Sequence, residues 1–193
     1  MSAPLAGVCG HTGAVPETDP VSRNATTNET TNETTNETTN AIEAATAAGL
    51  AHRVVRHGPV TSLAEAAVAR GVTEADVVKT LVVRRADDDY LFVLVPGDRE
   101  IAWPKLRELL GVARLSMPDA ETARDATGYV RGTITPLGSR VPWPVVADER
   151  LGGREITIGG GANNVALAVA TDELVAVLGA TVADVTQPLK GQR

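Results

Sequence analysis

Residues 77–95 read VVKTLVVRRADDDYLFVLV, and this stretch decides the fold. Two runs rich in β-branched and aromatic residues, 77–85 and 90–95, lie on either side of the polar segment 86–89. Such runs favour strands, and a short polar connection between them is typical of a β-hairpin. The sequence therefore predicts two antiparallel strands here.

Short helical and strand patterns alternate outward from this hairpin. Ala-rich composition, a Ser62–Glu65 capping box and closing glycines indicate helices, and β-branched runs indicate strands. The predicted helices cover 41–49, 62–71, 104–110, a segment after Pro118, and 171–179. The predicted strands cover 51–56, 144–147, 154–159, 165–169 and 181–185. Strands interleaved with helices predict an α/β or α+β domain with a mixed sheet.

The composition excludes several classes of protein. The chain has 193 residues, of which 43% are hydrophobic, so one compact domain with a real core is expected. No stretch approaches the ~18 consecutive apolar residues of a membrane span. Cys9 is the only cysteine, which excludes an intramolecular disulfide or a multi-cysteine metal site. No basic region followed by an apolar run begins the chain, so a cytoplasmic protein is expected.

The N-terminal region has a different character from the rest. Residues 26–40 repeat the unit TTNE without an apolar residue, so 1–40 is predicted to be a disordered tail. That tail holds one arginine against five acidic residues, and four of the six net negative charges therefore lie in it. The domain predicted at 41–187 is close to neutral, and 188–193 is predicted to be a C-terminal tail. Any contact with nucleic acid should be small and local.

Lys79 is a candidate functional residue. Strand alternation puts it on the same face as apolar neighbours, namely Val77, Leu81 and Val83. A cation on such a face is costly unless it reaches water or meets an acceptor. An edge-strand lysine that discourages edge pairing is the alternative. The chain uses arginine fifteen times and lysine three times, which favours a specific need for a compact point charge here.

The segment 127–138, TGYVRGTITPLG, is a candidate binding loop. Gly132 allows a close backbone approach, and Pro136 favours an extended conformation at Thr135. A loop held in this way can present backbone groups to a small ligand. An ordinary surface turn is the alternative interpretation.

Two further candidates follow strands. His57 precedes Gly58 and Pro59, where its imidazole would bond a substrate or cap the turn. Asp148 follows a predicted strand. Carboxylates at strand ends are equally often functional and simply solvated, so both interpretations stay open. The histidines do not cluster, so a metal site is not expected. The sequence has no G-x-S-x-G nucleophile elbow, and the domain predicted at 41–187 contains no cysteine that could act as a nucleophile.

These motifs together resemble the YbaK/EbsC family. The matching stretches are VKTLVV at 78–83, VPGD at 95–98 and the segment 127–138, in the same order and spacing. The family consists of free-standing aminoacyl-tRNA deacylases related to the editing domain of bacterial prolyl-tRNA synthetase. The resemblance covers about 42–185 and implies a mixed, curved sheet with flanking helices.

The resemblance implies a function as well. Members hydrolyse the ester between a wrong amino acid and the terminal ribose of a transfer RNA, so a trans-editing hydrolase acting on Cys- or Ala-tRNA(Pro) is expected, with no cofactor. Prolyl-tRNA synthetase is a candidate partner. The implied catalytic residues are Lys79, Gly132, Pro136 and Asp148. The candidate substrate-binding residues are His57, Thr80, Thr133, Ile134, Thr135, Gly160 and Gly161.

One departure from the family pattern keeps an alternative open. Relatives often carry basic residues after the glycine-rich turn, whereas residues 159–164 read GGGANN and are uncharged. This difference favours a non-catalytic module that binds a tRNA 3′ end, a nucleotide or an amino acid. A third interpretation is an interaction protein that works through its tail.

Overall fold

The computed structural model describes residues 38–189, which contain five α-helices and nine β-strands. The helices are α1 (Asn40–Ala47), α2 (Leu63–Arg70), α3 (Trp103–Leu110), α4 (Ala120–Thr127) and α5 (Thr171–Leu178). The strands are β1 (His52–Arg56), β2 (Val78–Ala86), β3 (Asp89–Pro96), β4 (Arg99–Ile101), β5 (Val145–Asp148), β6 (Glu155–Gly159), β7 (Val165–Ala170), β8 (Thr181–Ala183) and β9 (Thr186–Pro188). The predicted tail lies outside the described residues up to position 37, as do 190–193.

The predicted hairpin is present as β2 and β3. The strands are antiparallel, with Lys79 opposite Val95 and Leu81 opposite Val93. The connection is short, and Asp88 adopts a positive φ of 56° in it. Aspartate tolerates this left-handed conformation better than most residues because its short polar side chain bonds locally. The three aspartates at 87–89 therefore explain the tight turn.

The hairpin belongs to a four-stranded sheet in the order β2-β3-β5-β8. β2 pairs with β3 in antiparallel fashion, whereas β3–β5 and β5–β8 are parallel. The predicted mixed sheet and α/β class are thus confirmed. The last strand joins this sheet as expected, although it ends at Ala183 rather than at Val185.

A second sheet packs beside the first one. Its three strands, in the order β1-β7-β6, are all antiparallel. An isolated parallel bridge between Val77 and Thr157 links the start of β2 to β6. The two sheets therefore meet at the N-terminal end of the strand that carries Lys79 and Thr80.

β3 is the central element of the core. Residues 90–96 are all buried, because β3 lies between β2 and β5 and is covered on both faces. Phe92 and Leu94 belong to the cluster that includes the second sheet, α1 and α5, whereas Leu91 and Val93 pack with α3. The two faces of β3 therefore pack in two different clusters.

The helix ends follow the sequence signals closely. Ser62 Oγ accepts a hydrogen bond from Glu65 N at 3.1 Å, and Gly71 ends α2 with φ 70°. The predicted capping box differs in one detail. The Glu65 carboxylate reaches Thr61, where it accepts from the backbone N at 2.7 Å and from the hydroxyl at 2.9 Å. The carboxylate of Glu65 therefore accepts two hydrogen bonds from Thr61.

One pair of strands, β4 and β9, is not predicted from the sequence. They form a separate two-stranded antiparallel sheet with Arg99 opposite Pro188 and Ile101 opposite Thr186. Each strand has three residues, which is too short for a visible alternation. Within residues 38–189, no helix is long and apolar enough to cross a membrane.

Candidate active site

A cavity of about 450 Å³ opens between β2, the start of α4 and the loop at 131–134. This volume falls within the range of roughly 300–1,000 Å³ that small-ligand sites occupy. Apolar side chains line part of it, namely Val78, Val82, Met117, Pro118, Ala123 and Ile134. The charged residues of the lining are Arg70, Lys79, Asp119 and Arg131. Three cations and one carboxylate make the cavity locally positive, although the whole chain is acidic.

β2 presents neighbouring residues to opposite faces. Val78 and Val82 pack in the cluster with the second sheet, so Thr80 shares their face. Leu81 and Val83 pack on the other side, and Lys79 shares that face as the alternation predicted. Both Lys79 and Thr80 contribute to the lining of the cavity.

The ammonium group of Lys79 is held by backbone carbonyls. It donates to Gly97 O at 2.9 Å, in the connection from β3 to β4, and to the O atom of Arg99, the first residue of β4. Burial lowers the pKa of Lys79, and the carboxylates of Asp98 and Glu100 act in the opposite direction. Two of the three ammonium donors are used in this way, which leaves one for a ligand.

Thr80 has a hydroxyl group that no described residue satisfies. Its Oγ1 is buried and has no hydrogen-bond partner within residues 38–189. A buried hydroxyl without a partner costs free energy, so the Thr80 hydroxyl would gain from a hydrogen bond to a ligand atom that reaches it. Thr80 is thereby a substrate-binding candidate on geometric grounds as well as by sequence.

The loop after α4 is fixed by its own hydrogen bonds. The Tyr129 hydroxyl donates to Leu137 O at 2.8 Å, which ties the two ends of the loop together. Burial raises the pKa of Tyr129 to about 12. Thr133 N donates to Val130 O at 3.0 Å, and the Thr133 hydroxyl donates to the same carbonyl at 2.9 Å. These bonds hold the backbone between them in one conformation.

Gly132 has a φ of 94°, a conformation that side chains rarely adopt, and it lines the cavity. Because glycine has no side chain, the backbone itself forms the wall at this point. Ile134 lines the cavity beside it, whereas Thr133, Thr135 and Pro136 are buried behind the wall. The loop thus divides into residues that form the surface of the cavity and residues that support it.

The glycine-rich turn supports the loop through close contact. A Cβ atom on Gly159 would lie 2.9 Å from Ile134 O and 3.1 Å from Thr133 O, so only glycine fits there. Gly159 lines the cavity, whereas the predicted residues Gly160 and Gly161 do not. Gly160 N bonds Val165 O at 2.9 Å, which gives it a role within the turn.

Asp148 lies away from the cavity. Its side chain is fully buried and accepts from Val185 N at 3.1 Å and from Arg150 N at 3.2 Å. These bonds connect the end of β5 to the segment after β8. The geometry gives the predicted catalytic role of Asp148 no support.

His57 also lies outside the lining, yet it contacts a residue within it. Its Nδ1 lies 2.7 Å from Gly58 O, and Nε2 accepts from Arg70 Nε at 3.3 Å. This pattern requires a neutral ring with the proton on Nδ1. Arg70 and Arg131 were not predicted, because the position of α2 and the direction of the loop side chains leave no local signal. No group of three or more potential metal ligands occurs in the part of the chain described, residues 38–189.

The fold and the cavity define the class of protein. Residues 57–177 match the model of the aminoacyl-tRNA editing domain, and because this match covers more than half of the chain, the protein belongs to that family. The predicted membership of an aminoacyl-tRNA editing family is thereby confirmed.

Individual relatives agree with this assignment. A proline–tRNA ligase of Desulfotalea psychrophila is 41% identical over 80 residues, 42% of this chain and 14% of the ligase. A protein of Enterococcus faecalis with the provisional name Cys-tRNA(Pro)/Cys-tRNA(Cys) deacylase EbsC is 23% identical over 117 residues, 60% of this chain and 71% of that protein.

Solved structures share the fold. The hypothetical protein APE2540 is 33% identical with a TM-score of 0.71, covering 77% of this chain and 99% of its own. A protein assigned provisionally as a trans-editing enzyme for prolyl-tRNA synthetase is 30% identical with a TM-score of 0.71, covering 77% and 95%.

Proposed function

We propose that this protein hydrolyses the ester of a mischarged transfer RNA of the Cys- or Ala-tRNA(Pro) type, acting in trans with a positioned water molecule. The observation that carries the proposal is the cavity between β2 and the loop at 131–134, which brings Lys79, Thr80, Gly132 and Ile134 together. These four residues are candidates from separate parts of the sequence. Their meeting in one cavity supports a common task, which we place in the cytoplasm beside prolyl-tRNA synthetase.

The chemistry requires little from the protein. An aminoacyl ester is already reactive, so hydrolysis needs an oriented substrate, a positioned water and stabilisation of the developing oxyanion. We assign orientation to the Thr80 hydroxyl and to the backbone wall at Gly132. The third donor of Lys79 would face the charge that develops at the ester. Little water screens a charge in a half-buried site, which strengthens this effect.

Selectivity would arise from the size of the cavity. Ala120 and Ala123 of α4 line the cavity, as does Ile134 of the loop. Such a pocket suits a small side chain, which is the kind that a synthetase excludes poorly. Editing by a second pocket that accepts the smaller amino acid solves that problem.

A second candidate function has one specific observation in its favour. The Lys79 ammonium is bound to the carbonyls of Gly97 and Arg99, and Asp119 is the single carboxylate of the lining. A cavity with this arrangement would bind a tRNA 3′ end or an amino acid without turnover. Measured affinity without hydrolysis would support this alternative.

The test compares deacylation of Cys-, Ala- and Ser-charged tRNA(Pro) by the wild type and by Thr80→Val. The proposal expects hydrolysis of at least one ester by the wild type and about a tenfold loss of kcat/KM in the variant. Thr157→Val is the matched control, because the Thr157 hydroxyl is likewise buried without a partner in residues 38–189 but lies outside the cavity. Equal activity of Thr80→Val and Thr157→Val would contradict the assigned role of Thr80.

A further inference from the structure

The lining of the cavity contains two arginines that the proposed reaction does not use. Arg131 has no hydrogen-bond or ion-pair partner among residues 38–189. Arg70 donates from Nε to His57 Nε2, and its two terminal Nη groups have no partner in the same range. A guanidinium with free donors in a fixed fork is suited to a phosphate oxygen.

Arg70 is held in a way that favours binding. It lies in the last turn of α2, and the bond from Nε to His57 fixes the plane of the guanidinium. His57 is in turn oriented by its contact with Gly58 O at 2.7 Å. Burial lowers the pKa of Arg70, because it removes part of the guanidinium from water. Such a charge gains more from an incoming anion than an exposed one does.

We propose that Arg70 and Arg131 bind a backbone phosphate next to the terminal ribose of the transfer RNA, and that His57 is the positioning residue that orients Arg70 for it. This inference rests on the proposed function and names the group that recognises the nucleic acid. The turn at 159–164 has no charged residue that could bind a phosphate, and the two arginines would supply that charge instead. Two cations fit the expectation of a small and local contact better than a broad basic face.

The first experiment measures binding of the trinucleotide CCA to the full chain at several salt concentrations. Arg70→Ala and Arg131→Ala are each expected to weaken binding about tenfold and to reduce the slope of log K against log salt by about 0.7. Arg53→Ala is the matched control, because Arg53 is an exposed arginine paired with Glu155 outside the cavity. Equal affinities and slopes for Arg70→Ala, Arg131→Ala and Arg53→Ala would overturn the proposal.

Two further experiments test whether the phosphate belongs to a transfer RNA or to a free nucleotide, and whether His57 orients Arg70. Adenosine 5′-monophosphate is expected to bind more weakly than CCA, and equal affinity would overturn the assignment to transfer RNA in favour of a free nucleotide. His57→Gln keeps an acceptor for Arg70, whereas His57→Leu does not. His57→Gln should therefore retain most of the affinity for CCA and His57→Leu should lose about as much as Arg70→Ala. Equal affinity of both variants would overturn the positioning role.

A kinetic arm distinguishes this inference from the proposed function. With aminoacyl-tRNA, Arg70→Ala should raise KM about tenfold and leave kcat within about twofold. With an aminoacyl-adenosine that lacks phosphate, the difference in KM between Arg70→Ala and the wild type should be much smaller than with aminoacyl-tRNA. If the wild type hydrolyses no ester, the proposed function fails while binding of CCA still tests the arginines. If hydrolysis occurs and KM is unchanged in Arg70→Ala, the arginine proposal alone fails.

Discussion

The ammonium of Lys79 lies 2.9 Å from the carbonyl oxygen of Gly97 and joins the start of β2 to the turn that follows β3. Gly97 packs so closely on the backbone of Glu74 and Val77 that a Cβ atom would collide with both. The lysine thus bonds a carbonyl whose position is fixed. The two carbonyl acceptors stabilise this cation on an otherwise apolar strand face, where it would be costly without them.

Replacement of Lys79 should affect stability and activity together. Lys79→Met leaves two carbonyls without their donor, and we expect a loss of about 1–3 kcal/mol in the free energy of unfolding. If Lys79 also stabilises the oxyanion, kcat should fall about 100-fold under conditions in which the variant is folded. Denaturant unfolding and single-turnover deacylation measure the two effects. Lys105→Met is the control, since Lys105 pairs with Asp184 away from the cavity, and a kcat of Lys79→Met equal to that of the control would refute the catalytic role.

Gly132 should respond to substitution through its backbone alone. A Cβ atom there meets nothing within 4 Å, but φ is 94°, so Gly132→Ala introduces strain of about 1–3 kcal/mol without a clash. Gly153 also has a positive φ, of 69°, and free space around its Cβ position, and it lies outside the cavity. We expect both alanine variants to be less stable in thermal unfolding and only Gly132→Ala to lose deacylation. Full activity of Gly132→Ala would show that the wall does not act on the substrate.

Tyr129 should make stability depend on alkaline pH. Its pKa is raised to about 12 in the folded protein, whereas the ordinary value is 10.0, so the unfolded chain loses this proton first as pH rises. The stabilisation is complete below pH 10 and is lost as pH rises through 12. Tyr129→Phe should remove this dependence and cost about 1–2 kcal/mol at neutral pH, because Leu137 O loses its donor. Urea unfolding at pH 8 to 11 measures both, and an unchanged alkaline slope would argue against the ionisation of Tyr129 as its cause.

The boundary of the domain can be tested by truncation. Thr39 Oγ accepts from Ile42 N at 3.2 Å, which caps α1, and donates to Gly160 O at 2.5 Å. Deletion of residues 1–37 should therefore leave stability and deacylation unchanged, whereas deletion of 1–40 should cost about 1 kcal/mol or more. Thr39→Ala should reproduce that cost in the full chain, and Thr39→Ser should not, because serine keeps the hydroxyl. A large loss of activity on removing 1–37 would instead favour the interaction protein that works through its tail.

If the size of the cavity determines the selectivity, substitution of Ile134 should change the range of substrates. Ile134 lines the cavity, so Ile134→Ala enlarges it. We expect this variant to hydrolyse esters of larger amino acids faster than the wild type does, while activity on the smallest falls because its side chain is held less closely. A panel of Ala-, Cys- and Leu-charged transfer RNA measures the ratio. An unchanged ratio would place the selectivity elsewhere.

Local signals in the sequence sufficed for much of the fold. The β2–β3 hairpin, the caps of α2 at Ser62 and Gly71, and the alternation that separates Lys79 from Thr80 all depend on residues close together in the chain. β4 and β9 could not be found in this way, because each has three residues and their pairing joins Arg99 to Pro188 across the domain. Long-range pairing of short strands leaves no periodic signal.

The candidate site was predictable only in part, for a related reason. Lys79, Thr80, Gly132 and Ile134 belong to recognisable motifs, and the structure brings them to one cavity. Arg70 and Arg131 depend on how α2 and the loop after α4 are placed relative to β2, which no short pattern encodes. Asp148 occupies a strand end that suits a catalytic carboxylate, but burial and three donors from neighbouring segments explain its presence there.

The most direct test of the central claim is a deacylation assay with the full chain and tRNA(Pro) charged with cysteine, alanine or serine, beside matched Lys79→Met and Lys105→Met variants. The cavity between β2 and the loop at 131–134 predicts hydrolysis of at least one ester well above the rate in buffer, with loss of that activity in Lys79→Met and retention in Lys105→Met. Release of none of these amino acids by the folded wild type would contradict the proposed hydrolysis of a mischarged transfer RNA.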